Sequence, residues 1–187
     1  LENGTLWVDQ FRLSHLSSSL TATGNIRLFD ERHLFQPVKD PEFDFNLVSN
    51  QFNPEHFIDS VSGDFNLKGS FSGSIEAPAG NIVLTGEQID LFGQPLQSMT
   101  FDARVDEGRL WLDKAWMELA PEEQIEAGGW LGVNQSMDLY LRSEGIDVTH
   151  IAPLKDLFPG DGRVRLDLSA KGVLQNPEID ARLTISD

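Results

Sequence analysis

Four histidines, one pair of adjacent glutamates and two glycine-framed motifs are the groups here whose type and spacing could do chemistry. His15 and His33 stand alone. His56 and His150 sit at matching places, but neither has a second histidine or a paired carboxylate at ligand spacing, so both read as capping or packing residues, not metal ligands. Glu122 and Glu123 could be posed as an acid and a base. They follow Pro121 with no pocket chemistry around them, and read as a solvated turn. Gly69-Ser-Phe-Ser-Gly73 has the glycine frame of a nucleophile elbow, yet Phe71 stands where serine is needed. Gly160-Asp161-Gly162 lacks the spaced carboxylates and closing glutamate of a calcium loop. The chain has no cysteine, which excludes a thiol nucleophile, a thiolate metal site and a disulfide framework. These residues predict a protein that is not an enzyme, with no catalytic residue, no metal and no cofactor.

The 187 residues are 40% hydrophobic, enough to build a core. Fourteen basic against 30 acidic residues leave a formal charge of -16. Phosphate backbones would be repelled, so nucleic acid is excluded as a partner. No apolar run approaches the ~20 residues that span a bilayer, and no signal peptide opens the sequence. The sequence starts at Leu1 in mid-pattern. It reads as a piece of a longer repeat protein, with any anchor or export signal outside it.

The elements that must position anything useful are written almost twice. Phe43 to Ser49 returns as Met137 to Ser143, and His56 as His150, at an offset of 94 (139 minus 45). Gly63, Leu67, Gly73, Pro78 and Leu84 return as Gly162, Leu166, Gly172, Pro177 and Leu183, now at an offset of 99 (162 minus 63). Gly4 to Asp9 returns as Gly108 to Asp113, and Gly24 as Gly128, at an offset of 104 (108 minus 4). The expected organisation is a single domain over 1–187, made of repeated units of about 100 residues at roughly 1–107 and 108–187, the second incomplete.

Within each unit apolar residues recur with period two, the mark of half-buried strands. Leu6 and Val8 begin the series, and Phe43, Phe45 and Leu47 continue it. Phe65, Leu67 and Phe71 follow, then Ile82 and Leu84, Ile89 and Leu91. Phe101, Leu110 and Leu112, Leu139 and Leu141, Val164, Leu166 and Leu168, and finally Leu183 complete it. Trp7 and Trp111 have the opposite parity and point away. Pro78 and Pro177 should stop strands. Gly86-Glu87, Gly93-Gln94-Pro95, Glu107-Gly108 and Gly128-Gly129 are turn signals. Connections this short imply neighbouring antiparallel strands, about ten to twelve of them. Asn53-Pro54 predicts a short helix to about Ser60. Thr149 would cap a second, whose Ile151, Leu154 and Phe158 could lie across a sheet end.

A sheet with one apolar face must be covered by another sheet, by closure on itself, by helices, or by something apolar that is not protein. Two short helices are insufficient. Composition alone leaves a closed sandwich or barrel and an open curved sheet both standing. The order Gly63-x-Phe-x-Leu-x-Gly-x-Phe-x-Gly73, Pro78, Asn81-Ile-Val-Leu-Thr-Gly86, Ile89-Asp-Leu-Phe-Gly-Gln-Pro-Leu96, Gly108-Arg-Leu-Trp-Leu-Asp113 and Gly162 to Gly172 with Asn176-Pro177 resembles the TamB and AsmA-like family of Gram-negative envelope proteins. It extends over essentially the whole chain. The resemblance implies an all-β, elongated, curved antiparallel sheet, a β-taco or open groove, with one or two short helices. It implies a periplasmic bridge between inner and outer membranes, anchored in the inner one, whose groove carries phospholipid acyl chains. The groove would be lined by the eighteen residues from Phe45 to Leu183 in the series above, leaving aside Leu6, Val8 and Phe43. The alternative it implies is a scaffold or chaperone for assembly of autotransporters and outer-membrane proteins, working with an Omp85-type partner, TamA. A piece of such a sheet would also self-associate through its exposed edge strands.

Overall fold

The structure is a computed structural model, described here for residues 3–15, 18–30, 36–56, 58–155 and 162–186. Eleven strands form one antiparallel sheet in strict chain order. They are β1 (Thr5–His15), β2 (Ser18–Arg27), β3 (Glu42–Phe52), β4 (Val61–Ser74), β5 (Pro78–Leu91) and β6 (Gln94–Asp106). Then come β7 (Arg109–Ala120), β8 (Glu123–Gly132), β9 (Ser136–Asp147), β10 (Arg163–Val173) and β11 (Asn176–Ser186). Each strand pairs only with its neighbours in sequence, and β1 and β11 are the two edges. The sheet does not close, which decides between the open sheet and the barrel. A single layer also excludes the sandwich. The accessible surface of 12358 Å² exceeds the about 8,900 Å² of a compact monomer of this mass, as an uncovered sheet requires.

Helix is almost absent. A 3-10 turn at Pro54–His56 and another at Val148–His150 occupy equivalent connections, and α1 (Ala152–Lys155) follows the second. The first stops well short of Ser60. Asn53 caps it as expected, its Oδ1 accepting from the Glu55 N–H at 3.0 Å. The second is capped by Asp147 and not by Thr149: the Asp147 carboxylate accepts from the Thr149 N–H at 2.9 Å and its hydroxyl at 2.6 Å. The aspartate stands one position outside the turn and accepts from both donors, whereas Thr149 lies inside the turn and spends its hydroxyl on that carboxylate. His33, Phe158 and the Gly160-Asp161 pair lie outside the described residues.

The strands bend at bulges, each of which inserts a residue and flips side-chain parity. Bulges interrupt β1 between Val8 and Phe11 and β7 between Leu112 and Ala115, an offset of 104. They interrupt β3 between Ser49 and Phe52, and β9 between Ser143 and Ile146, an offset of 94. The sheet therefore carries a six-strand period, β1 to β5 answering β7 to β11.

Several local expectations are corrected. Ile82-Leu84 and Ile89-Leu91 belong to one strand, β5, whose parity flips at Gln88 with φ of 52°. Gly86 and Gly128 lie inside strands, not in turns. A Cβ on Gly86 would stand 2.8 Å from Phe65 and Ile89 atoms, and one on Gly128 2.5 Å from the Tyr140 hydroxyl; these glycines make room for rings across the sheet. Pro78 and Pro177 open the strands that follow them, opposite Gly73 and Gly172, where the missing N–H costs nothing. Gly24 corresponds to Gly129, one residue beyond the match read from sequence. Gly24 pairs with Val8 and Phe45, and Gly129 with Leu112 and Leu139, their equivalents. At both a Cβ would meet a backbone oxygen at 2.0 Å, that of Asp44 and of Asp138.

Candidate functional site

Alternation along strands and register between them define one face. A row of directly paired residues runs Phe11, Ala22, Leu47, Gly69, Ile82, Ala103, Leu112, Gly129, Leu139, Ala170, Ile179, crossing all eleven strands. The next is Leu13, Leu20, Ser49, Leu67, Leu84, Phe101, Ala115, Ala127, Leu141, Leu168, Ala181. On the other side lies Val8, Gly24, Phe45, Phe71, Gly80, Val105, Leu110, Leu131, Met137, Gly172, Pro177. These three rows hold no charge. Their one hydroxyl, Ser49 Oγ, donates to the Ser19 carbonyl at 2.6 Å and so carries no unmet polarity onto the face.

The eighteen lining residues read from sequence all fall on this face. Phe65, Ile89, Leu91, Val164, Leu166 and Leu183 lie beyond the second row, toward the edge where Leu96, Leu119 and Ile146 also sit. There the face becomes a core: Phe65, Ile89, Leu96, Ile146 and Val61 pack together, with Met99, Met117 and Ile125 against them. Phe65 and Ile89 in this core, and Val164 at 1% exposure, have their surface taken up by protein and offer none to a ligand. Most of the remainder are half-buried, although no second layer covers them. Leu110 and Leu183 are exposed. Half-burial without a cover means that neighbouring side chains on the face shield one another.

The opposite face is polar and carries a different set of aromatics. Trp7, Trp111, Trp116, Trp130 and Tyr140 are all on it, whereas the phenylalanines of the strands are on the apolar face. Trp111 and Trp130 pair directly, ring centroids 6.2 Å apart, with the Arg109 guanidinium 4.6 Å from the Trp130 ring. Beside them Glu126, Arg142, Asp167 and Arg182 form a cross-strand row of alternating charge. Tyr140 donates to Glu126 at 3.2 Å; burial and that carboxylate together hold its phenol above the ordinary value. Hollows of the surface open on this polar side. One of about 640 Å³ is lined by Lys114, Trp116, Glu126 and Arg142. The apolar face is a continuous surface crossing all eleven strands.

Glu123 is the residue that sequence reasoning misread. It is 7% exposed, not solvated. As the first residue of β8 it shares parity with Ile125 and Ala127, so its side chain turns to the apolar side, where His150 and Arg163 meet it. His150 Nδ1 lies 2.7 Å from Oε2 and Arg163 Nη2 3.5 Å from Oε1. That parity was legible; the partners were not. Among the described residues no cluster of three or more histidines and carboxylates is placed to hold a metal ion, and no helix is long and apolar enough to cross a membrane.

Comparison with known proteins adds little to this geometry. No family model matches the chain, and no solved structure matches it. The 3-isopropylmalate dehydrogenase of Thermotoga maritima is 32% identical over a stretch covering 41% of this chain and 24% of that protein. The chain thus spans about a quarter of that enzyme's length, too little of either sequence to place it in a family.

Proposed function

We propose that this sheet is a segment of a periplasmic bridge between the inner and outer membranes of a Gram-negative envelope, of the TamB and AsmA-like kind, and that its apolar face carries phospholipid acyl chains. One observation supports this reading above others: an apolar surface without a charged residue in its central rows, continuous over eleven strands and left uncovered. At ~4.8 Å per strand the channel is ~50 Å long. An acyl chain of ~16 carbons forgoes ~12 kcal/mol of burial in water, at ~0.8 kcal/mol per methylene. A continuous channel removes that barrier and offers no single deep site to trap the chain.

The test is photocrosslinking in producing cells, with a reactive phenylalanine analogue at Leu166 and, one residue away on the polar face, at Arg165. Lipid adducts at 166 and none at 165 are expected. Protein adducts alone at 166 would overturn the lipid reading and favour assembly of outer-membrane proteins, for which the free edges of β1 and β11 are the relevant surface.

A further inference from the structure

The connection between the third and fourth strands is five residues longer in the second unit (99 minus 94), the reverse of the one between the second and third strands, which is eleven longer in the first (105 minus 94). In repeat architectures such insertions fall in loops on one face, often the binding face. In the first unit the connection is held by the second strand. Ser18, the buried first residue of β2, holds Asn53 with a 2.9 Å bond from the Asn53 N–H. In the second unit the corresponding first residue of β8 is Glu123 (the pairs Ala22 and Ala127 fix the offset at 105), and its longer side chain holds His150. The second connection then runs on across the sheet. From the end of β9 it passes β8 and β7 and reaches β6, where Gln94 grips it twice. The Gln94 amide donates to the His150 carbonyl at 2.9 Å and accepts from the Ala152 N–H at 2.9 Å. Ile151 is thereby laid against the apolar core.

We propose that Val148–Lys155 is a strap that closes one side of the channel over β6 to β8, latched by Glu123 and Gln94, and that its release admits the acyl chain. This rests on the function proposed above. The strap is built to part from the sheet: its own turns are held by the Leu154 and Lys155 N–H groups on the Ile151 carbonyl, at 2.8 and 3.0 Å. Val148, 1% exposed and with its N–H donating to the Gly162 carbonyl at 2.9 Å, anchors the start of the strap; beyond it the hold on the sheet is polar, through one buried carboxylate and one half-buried amide, with Ile151 as the apolar seal. Nothing in the ladder of β6 to β9 depends on it.

Two variants test the latch from opposite ends, Glu123→Gln at the carboxylate and Gln94→Ala at the amide; the second keeps the test alive should the first fail to fold. Hydrogen exchange and the association rate of a fluorophore-tagged hexadecanoic acid are read on both. The amides of Ile151, Leu154 and Lys155 should exchange at least ~10-fold faster while those of Phe101 and Ala103 on β6 are unchanged, as local opening predicts. Association of the fatty acid should quicken at least ~5-fold, the populated open state being what binds. Unchanged strap amides, or equal acceleration on β6, would overturn the proposal. Binding at one rate in the parent and both variants would overturn the strap alone, whereas binding to none of them would overturn the channel itself.

Discussion

Truncating two apolar side chains of the same face, one packed and one open, measures how far the channel is uncovered. Ile146 on β9 is 1% exposed and Leu183 on β11 is 51% exposed. Ile146→Ala removes three methyl or methylene groups from a closed core and leaves a cavity, a loss of about 3–4 kcal/mol. Leu183→Ala removes the same volume from a side chain that has left only about half its surface in water's reach, a loss of about 1 kcal/mol. Strand propensity falls somewhat more for the β-branched isoleucine, by a fraction of the ~1 kcal/mol the scale spans, and so adds to the same difference. With a urea m-value of about 2 kcal/mol/M, the midpoint should fall by about 1.5–2 M for Ile146→Ala and by about 0.5 M for Leu183→Ala. Equilibrium urea unfolding followed by tryptophan fluorescence gives both numbers. Equal shifts for the two variants, at unchanged m, would refute the open face: Leu183 would then be covered in solution, by a second copy or another layer.

Two further outcomes follow from local geometry. Gly129→Ala sets a Cβ 2.0 Å from the Asp138 carbonyl oxygen at φ of +126°, while Gly93→Ala at φ of +83° meets nothing within 4 Å. The first should cost at least about 2 kcal/mol more than the second, since only the first adds a backbone clash to left-handed strain, and comparable thermal shifts would disprove the register given for β8 and β9. Hydrogen bonds from the Thr149 hydroxyl and N–H hold the Asp147 carboxyl below its usual value of 3.8. A depressed folded value means stability present above the unfolded pKa and lost as pH falls through the folded one. Asp147→Asn should therefore lower the urea midpoint at pH 7 and have a shrinking effect as pH drops below about 4; a constant gap between pH 7 and pH 3 would show that the cap carries no such linkage.

Much of the fold was legible because a sheet with one apolar face writes itself as period two. Phe45 and Leu47, Leu139 and Leu141, Leu166 and Leu168 could be assigned to one side from parity alone. Parity fails across a bulge, since the inserted residue is not marked by its type: Gln88 and the pair Asp9-Gln10 look like any polar positions. This is why β5 read as two strands. Glycine is ambiguous for a related reason. Gly86 and Gly128 carry the signal of a turn, and only the ring packed over each reveals a strand. Length of burial is invisible too. Phe65 and Phe71 have the same parity on one strand and polar neighbours on both sides, but only Phe65 lies toward the edge where the connections fold in. Glu123 lost its meaning next to Pro121 and Glu122, which are exposed turn residues; its burial depends on His150 and Arg163, far along the chain. The segregation of tryptophan to the polar face needed the register of β7 with β8 before Trp111 and Trp130 could be seen as partners.

Strict chain order in the sheet has a consequence for how the molecule is made. Every strand finds its partner one hairpin away, so the sheet is able to grow from β1 as synthesis proceeds, each new hairpin docking on the last without waiting for distant sequence. The growing edge is exposed at every step, and the apolar face is bare throughout. Contacts that break this rule include those of Gln94 with His150 and Ala152, which span 56 and 58 residues, and the packing of Phe65 and Ile89 with Ile146. They form only after β9 is in place, and on forming they join the later strands of the first unit to the middle of the second. A row of independently fraying hairpins becomes, from that moment, a block that stands or melts together.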